Sequence, residues 1–150
     1  LIGDIFVKSE KIKPIKASRE YYVKATDEYP ILFIISALTK GTSIFKNVGG
    51  LKNKESDRVK EMQKVLRQVG IRTLLSKNEL RIFGKGMING NNKKIIIQNL
   101  GDHRIAMSGF VLASLIGAQV KIKNFETVFT SSPSFLKIMK FLGAKFEKQK

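Results

Sequence analysis

Two kinds of helical segment alternate along the 150-residue chain. Residues 31–38 and 105–116 are apolar on nearly every side, which predicts two buried helices. Residues 54–69 and 135–142 instead place apolar side chains at helical spacing on one face, which predicts two amphipathic helices. In the first of these, the predicted buried face consists of Val59, Met62, Val65, Leu66 and Val69.

Short apolar or alternating stretches between the helices predict β-strands. Residues 71–75 and 80–83 favour a hairpin around residues 76–79, and residues 84–94 are typical of an exposed loop. The other predicted strands cover residues 3–7, 12–15, 42–48, 95–97, 120–122 and 144–147, with 21–23 as a further candidate.

The order of these elements repeats once. Asp27 precedes a buried helix, a strand, a loop, an amphipathic helix ending in Val-Gly, and a strand. About 75 residues later Asp102 begins the same series, which ends in Leu-Gly. We therefore predict an α/β fold made of two copies of one unit, with strands of mixed direction and one helix of each unit enclosed.

Charged side chains gather at three predicted helix starts, which the repeat would bring near one another along one edge. Arginine is disfavoured at the positive end of a helix dipole, so arginines at these starts indicate a ligand or a buried partner. Together the groups favour a pocket for phosphate and carboxylate groups with acid–base chemistry. The three sets are Asp27-Glu28, Lys54-Glu55 with Arg58, and Asp102-His103-Arg104.

Structural explanations for the same residues remain open. Asp27 and Asp102 could be ordinary N-caps, worth about 1 kcal/mol each. Glu55 and Arg58 could form a pair within one helix, three residues apart. His103, the single histidine, could fill a structural position.

Composition narrows the class of protein. The chain has no cysteine and one histidine, so we expect neither disulfides nor a metal-ligand cluster, and a cytoplasmic location. No apolar run reaches membrane-spanning length, and the missing initiator methionine leads us to expect a piece of a longer protein. The net charge of +16 keeps a basic anion-binding or RNA-binding module open as an alternative, although the lysines are scattered and nucleic acid is not the expected partner.

Four motifs resemble, in order and rough spacing, the C-terminal third of the 3-phosphoshikimate 1-carboxyvinyltransferases, the EPSP synthase family. They are Asp27-Glu28-Tyr29-Pro30, residues 51–58, residues 101–107 and residues 130–135. The resemblance covers essentially the whole chain. It implies an inside-out α/β barrel fold of repeated βαβαββ units, with buried helices and outer sheets. About two units, approximately residues 1–97 and 98–150, would form part of the C-terminal domain, and the N-terminal domain would be absent from this sequence.

The resemblance also implies a reaction. Members of the family transfer the enolpyruvyl group of phosphoenolpyruvate to the 5-hydroxyl of 3-phosphoshikimate and release phosphate, in the shikimate pathway to chorismate and the aromatic amino acids, without a cofactor. The expected partners are these two small molecules and the missing domain, with no nucleic acid and no membrane. Because that domain completes the substrate site in the family, we expect the chain alone to be inactive, and a merely structural fragment is a third hypothesis.

The family's functional residues map onto this sequence at several positions. Those matching Asp27 and Lys54 bind 3-phosphoshikimate, and those matching Asp27 and Glu55 transfer protons. Those matching Arg58 and Arg104 hold phosphoenolpyruvate, with Asp102 and His103 beside them. Thr130 stands where some members have a phosphoenolpyruvate-binding lysine and others a threonine, so its contact with substrate stays open.

Overall fold

A computed structural model describes residues 3, 4, 6, 8, 10–98 and 100–147. Within these residues the chain forms six strands and six helices, with 3₁₀ turns at Thr26–Glu28 and Val48–Asn53. The strands are β1 (Lys16–Ala17), β2 (Gly41–Lys46), β3 (Arg72–Ser76), β4 (Glu79–Gly84), β5 (Lys94–Ile97) and β6 (Gln119–Ile122). The helices are α1 (Arg19–Ala25), α2 (Tyr29–Ala37), α3 (Arg58–Gln68), α4 (His103–Ile116), α5 (Thr127–Ser131) and α6 (Phe135–Phe141).

The first sheet has the strand order β1-β2-β4-β3. Strand β1 runs parallel to β2, with Lys16 opposite Ile44. Strand β4 runs antiparallel to β2 and also to β3. The β3–β4 hairpin confirms the predicted one, and the elements from β1 to β4 follow the order β-α-α-β-α-β-β.

The second sheet consists of β5 and β6, paired in parallel from Lys94–Gln119 to Ile97–Ile122. The first unit closes one edge of this sheet through Gln68, at the end of α3. The backbone N–H of Ile96 donates to Gln68 Oε1 at 2.7 Å, and Gln68 Nε2 donates to the carbonyl of Ile96 at 3.1 Å. A side-chain amide thus takes the place of a neighbouring strand along β5.

The two apolar helices, α2 and α4, lie in the interior and pack against each other, which confirms the predicted burial. On α2, Tyr29 and Phe33 are fully buried and meet Phe45 of β2 in edge-to-face contacts, the closest with ring centroids 4.9 Å apart. On α4, Gly109 lies directly against Ile97, and a Cβ atom at that position would collide with it. The glycine therefore lets α4 approach β5 closely.

Helix α3 buries the predicted face but begins later than predicted. Residues 54–56 form a bend, and the helix starts at Arg58 after Asp57, whose carboxylate accepts a hydrogen bond from the N–H of Lys60 at 3.1 Å. Because that cap satisfies one of the free amides at the helix start, residues 54–56 remain outside the helix. The prediction of a helix over residues 54–69 is wrong at its start.

Other predictions near the N-terminus are wrong in detail. The candidate strand 21–23 lies inside α1, where the ring of Tyr22 packs edge-on against Tyr29 with centroids 5.7 Å apart. Strand β1 covers Lys16–Ala17 instead of residues 12–15. Asp27 is not an N-cap, because it lies within a 3₁₀ turn and its carboxylate faces arginine and lysine side chains. The predicted strand 3–7 includes residues 5 and 7, which lie outside the described residues.

The C-terminal part also differs from the predictions. A short helix, α5, precedes the predicted amphipathic helix, and residues 144–147 form no strand. A second, smaller apolar cluster of Ala106, Phe110, Val128 and Phe135 holds α5 and α6 against α4. Among the described residues, no helix combines the length and the apolar character needed to cross a bilayer.

Candidate active site

The three predicted helix starts meet around the guanidinium of Arg58, the first residue of α3. Its Nε donates to Asp102 Oδ2 at 2.8 Å, its Nη1 to Asp27 Oδ1 at 2.7 Å, and its Nη2 to Glu55 Oε2 at 2.6 Å. The side chain is only 1% exposed. A buried arginine is tolerated when charged acceptors replace the lost water, and here three carboxylates from three segments each accept a hydrogen bond from it.

Asp102 joins the starts of α3 and α4. One carboxylate oxygen accepts the N–H of Arg104 at 3.1 Å, which confirms the predicted N-cap of α4. The other oxygen accepts hydrogen bonds from Arg58 Nε and from the Ser56 hydroxyl, the latter at 3.0 Å. The side chain is 1% exposed, so this buried carboxylate fixes one helix end relative to the other.

Arg104 and Lys54 also lie close to Asp27. Arg104 Nη1 donates to the backbone carbonyl of Asp27 at 3.0 Å, and Arg104 Nη2 lies 3.7 Å from Asp27 Oδ2. Lys54 Nζ lies 3.3 Å from Asp27 Oδ1. The Arg104 side chain is one-third exposed, so it keeps donors for a ligand.

The charges shift two pKa values in directions that favour ion pairing. The hydrogen bond from Arg58 lowers the pKa of Asp27 below its ordinary value, with Lys54 and Arg104 adding to the effect and burial opposing it. Burial alone would lower the pKa of Arg58, but the hydrogen bonds to Asp102 and Asp27 and the nearby charges raise it instead. Both groups are therefore charged at neutral pH.

A cavity of about 350 Å³ opens beside this cluster, between α2, α4 and the α5–α6 connection. Its polar lining includes Asp27, Arg104 and His103 together with Ser131 and Ser132. Glu28 and Ser108 also line the cavity, and its apolar lining is formed by Ile31, Met107, Val111 and Phe135. A small anion with an apolar part would find both kinds of surface here.

The structure brings together most of the residues predicted for the site. Asp27, Lys54, Glu55, Arg58, Asp102 and Arg104 form the hydrogen-bonded and ion-paired cluster, and His103 lines the adjoining cavity. Thr130 stands apart, because its side chain is exposed and its hydroxyl donates to the carbonyl of Thr127 at 2.7 Å.

Sequence reasoning assigned no role to Ser56, whose hydroxyl is buried against Asp102. A serine in a polar turn gives no pattern from which that contact could be read. In the part of the chain that the structure describes, no group of three or more His, Cys, Asp or Glu side chains is arranged to hold a metal ion.

The fold and the sequence are both similar to those of known proteins. Its fold is similar to that of the enolpyruvyl transferase NikO from Streptomyces tendae, with a TM-score of 0.55 over 80% of this chain at 19% sequence identity. The family model of EPSP synthase (3-phosphoshikimate 1-carboxyvinyltransferase) matches residues 3–139. The chain belongs to the EPSP synthase family.

Individual relatives are longer than this chain. It is 37% identical to the 3-phosphoshikimate 1-carboxyvinyltransferase of Clostridium tetani over 139 residues, which are 93% of this chain and 31% of that protein. The structure of EPSP synthase from Acinetobacter baumannii is similar with a TM-score of 0.78 at 30% identity, covering 93% of this chain and 32% of the other. The chain thus spans about a third of the length of the curated relatives that it matches.

Proposed function

We propose that this chain carries one wall of the active site of an EPSP synthase. The reaction is transfer of the enolpyruvyl group from phosphoenolpyruvate to the 5-hydroxyl of 3-phosphoshikimate, with release of phosphate. The observation that carries the proposal is the meeting of Asp27, Arg58 and Arg104 beside one cavity, at helix starts far apart in sequence. Membership of the family supports the choice of substrates.

Arg104 makes the first contact with phosphoenolpyruvate in this proposal. The substrate carries a carboxylate and a phosphate, and a planar guanidinium binds such groups through two parallel hydrogen bonds. Arg104 lines the cavity and holds its acidic neighbours loosely, with 3.7 Å to both Asp27 Oδ2 and Glu28 Oε1. An incoming anion therefore needs to replace only these two long ion-pair contacts.

Arg58 requires a rearrangement before it reaches the substrate. Its guanidinium is buried and three of its donors are engaged, but one of the partners, Glu55, has a half-exposed side chain. We infer that the substrate anion takes the place of the Glu55 carboxylate at Nη2. Once released, Glu55 can take up a proton from solvent and deliver it, as a carboxylic acid, to the methylene carbon while the substrate hydroxyl adds to the neighbouring carbon. The carboxylate that remains can then remove a proton from the new methyl group as phosphate leaves.

Asp27 and Lys54 receive 3-phosphoshikimate. A carboxylate beside a lysine can accept hydrogen bonds from substrate hydroxyls while the ammonium faces the phosphate. In the free chain the neighbouring cations hold the pKa of Asp27 low and make it a weak base. When phosphoenolpyruvate neutralises Arg104 and Arg58, that pKa rises, and Asp27 becomes a better acceptor for the proton of the attacking hydroxyl.

This wall alone is poorly suited to hold two anionic substrates. Around the cluster the four carboxylates of Asp27, Glu28, Glu55 and Asp102 face only three cations, Lys54, Arg58 and Arg104. The remaining attraction must come from the part of the enzyme that this chain does not span, which we take to be the N-terminal domain. We therefore expect negligible turnover by these residues alone.

We also propose that the chain is part of the C-terminal domain and contains one complete and one partial βαβαββ unit. The pairing of β5 with β6 favours a division of the units before Lys94, not after residue 97. Thr130 receives no substrate role, since it is absent from the cavity lining. The cytoplasmic location stays a prediction from the sequence.

Titration calorimetry with phosphoenolpyruvate, alone and with 3-phosphoshikimate, tests the proposal. We expect saturable binding that is lost in Arg104→Ala and kept in Arg19→Ala, a matched control at an exposed arginine of α1. Phosphate release by the chain alone at the rate of a complete enzyme would contradict the expected inactivity. Salt-dependent RNA binding that survives loss of both Arg58 and Arg104 would favour the alternative of a basic RNA-binding module.

A further inference from the structure

Residues 54–56 carry two of the proposed site residues on a short bend. The bend follows the 3₁₀ turn Val48–Asn53 and precedes α3, so no helix or strand includes it. The side chains of Lys54 and Glu55 are 30% and 50% exposed, whereas Ser56 is 8% exposed. The segment therefore presents two side chains to a ligand and buries the third.

The buried side chain, Ser56, binds the carboxylate that caps α4. Its Oγ donates to Asp102 Oδ2 at 3.0 Å, and the same oxygen accepts Arg58 Nε at 2.8 Å. The other oxygen, Oδ1, accepts the N–H of Arg104 at 3.1 Å. Rotation of this buried carboxylate would break these bonds, and hydrogen bonds to a charged group are among the stronger ones in proteins. Asp102 is therefore a fixed point to which Ser56 ties the bend.

The two exposed side chains of the bend make contacts that the substrates would replace. Glu55 Oε2 accepts a hydrogen bond from Arg58 Nη2 at 2.6 Å, and Lys54 Nζ lies 3.3 Å from Asp27 Oδ1. Under the function proposed above, an anion takes the place of Glu55, and Lys54 turns to the phosphate of 3-phosphoshikimate. The hydrogen bond from Ser56 involves no group that receives a substrate. Of these three contacts it is the one that persists through the exchange.

Glu55 depends on such a fixed point for its proposed chemistry. A proton donor has to lie within hydrogen-bond reach of the atom that receives the proton. A misplacement of about 1 Å can lower a rate by roughly a hundred-fold. Once Glu55 has left Arg58, the backbone of the bend sets the direction of its side chain, and the neighbouring Ser56 holds that backbone.

We propose that Ser56 is a positioning residue whose hydroxyl holds the bend on Asp102 while Glu55 exchanges from Arg58 to the substrate. This role rests on the function proposed above, but the anchoring itself is a property of the free chain. A serine that contributed to stability alone would act differently. Its loss would lower the free energy of unfolding and leave the bend as ordered as before.

Glu55→Ala tests the anchoring without any ligand, because it removes the contact that the substrate would replace. We expect the backbone amides of residues 54 and 55 to keep ¹⁵N order parameters of about 0.85 in Glu55→Ala. In the double variant Glu55→Ala/Ser56→Ala the same amides should fall below about 0.6. Glu55→Ala/Ser56→Thr returns a hydroxyl and should restore the higher value.

The matched control is Glu55→Ala/Ser43→Ala. Ser43 is a fully buried serine of β2, and its Oγ accepts the N–H of Ile15 at 2.9 Å, outside the charged cluster. This control should keep the order parameters of Glu55→Ala at residues 54 and 55, and the amides of α3 should stay near 0.85 in every variant. Order parameters that remain high in Glu55→Ala/Ser56→Ala would overturn the proposal, as would an equal fall in the Ser43 control.

A second measurement adds phosphoenolpyruvate to wild type and to Ser56→Ala. As the ligand saturates Arg104, residues 54 and 55 should stay ordered in wild type and lose order in Ser56→Ala. A bend that stays ordered in saturated Ser56→Ala would also overturn the proposal. If Arg104 of wild type gave no response at all, the proposed function would be contradicted instead, and the ligand-free variants would still decide the role of Ser56.

Discussion

The starts of α3 and α4 carry the same residue types and place them in different surroundings. Each has an aspartate that caps the helix and an arginine within its first two residues. Arg58 of α3 is enclosed by three carboxylates, whereas Arg104 of α4 is one-third exposed and makes one close hydrogen bond, to a backbone carbonyl. The number of carboxylates bonded to the guanidinium, and not the residue type, separates an arginine that organises the site from one that can receive a ligand without a rearrangement.

This difference has an energetic basis. Removing a guanidinium from water costs several kcal/mol unless charged acceptors replace the lost water, so Arg58 and its carboxylates depend on one another. An exposed ion pair contributes about 1 kcal/mol or less, so Arg104 can exchange its partners at little cost. Substitutions at the two helix starts should therefore differ in their effect on stability, with the largest loss at Arg58 and the smallest at Arg104.

Replacing the buried arginine should have the largest effect. Arg58→Ala leaves Asp102 buried without its guanidinium, and we expect a loss of about 3–5 kcal/mol in the free energy of unfolding, measured by urea denaturation. The matched control is Lys60→Ala on the same helix, where the side chain is 67% exposed, and it should change stability by less than about 1 kcal/mol. Equal losses in the two variants would remove the distinction between buried and exposed cations.

Neutralising Asp102 separates its two interactions, the cap of α4 and the ion pair with Arg58. Asp102→Asn keeps an acceptor that can cap α4 but removes the charge that faces Arg58, so we expect a loss of about 1.5–3 kcal/mol, typical of a hydrogen bond to a charged group. Asp102→Ala should lose about 1 kcal/mol more, because the cap is lost as well. If the Asp102→Asn variant proved as stable as wild type, the charge of Asp102 would not be needed to hold Arg58.

Asp27 should produce a stability difference that depends on pH. The pKa of Asp27 is lower in the folded chain than in the unfolded chain. Its contribution to the free energy of unfolding is therefore fully present above the unfolded pKa and is lost as the pH falls through the folded pKa. We expect wild type to exceed Asp27→Asn by about 1 kcal/mol at pH 7, with the difference closing below about pH 4. Urea denaturation of both proteins at pH 7, 5 and 3 measures it, and a difference independent of pH would contradict the ion pairing.

Arg104 should matter least for stability. Its exposed position and long contacts predict a change below about 0.5 kcal/mol for Arg104→Ala, measured in the same denaturation series. A loss comparable to that of Arg58→Ala would show that both arginines are structural. The comparison between the two helix starts would then fail.

Much of this arrangement could be predicted from residue patterns. The internal repeat predicted that the helix starts would meet, and an arginine at the positive end of a helix predicted a ligand or a buried partner, which for Arg58 includes the buried Asp102. Residues 21–23, aromatic and β-branched, were predicted as a strand, but the packing of Tyr22 on Tyr29 favours a helix instead.

Other features depend on contacts between distant residues. Gln68 closes the edge of β5, and Ser56 meets Asp102, through side chains that carry no local signal of either contact. Residues 144–147 have the composition of a strand, yet strand formation also requires a neighbouring strand. The local sequence predicts the propensity of a segment to form a strand, and a neighbouring strand decides whether the strand forms.

The most direct test of the central claim is to follow the two arginine side chains separately while phosphoenolpyruvate is added. In ¹⁵N-edited NMR spectra each Nε–Hε group gives its own signal. We predict that the Arg104 signal shifts and saturates, while the Arg58 signal shifts less, because its Nε remains bonded to Asp102 and the ligand replaces only Glu55 at Nη2. A shift confined to Arg58, with Arg104 unchanged, would contradict the account.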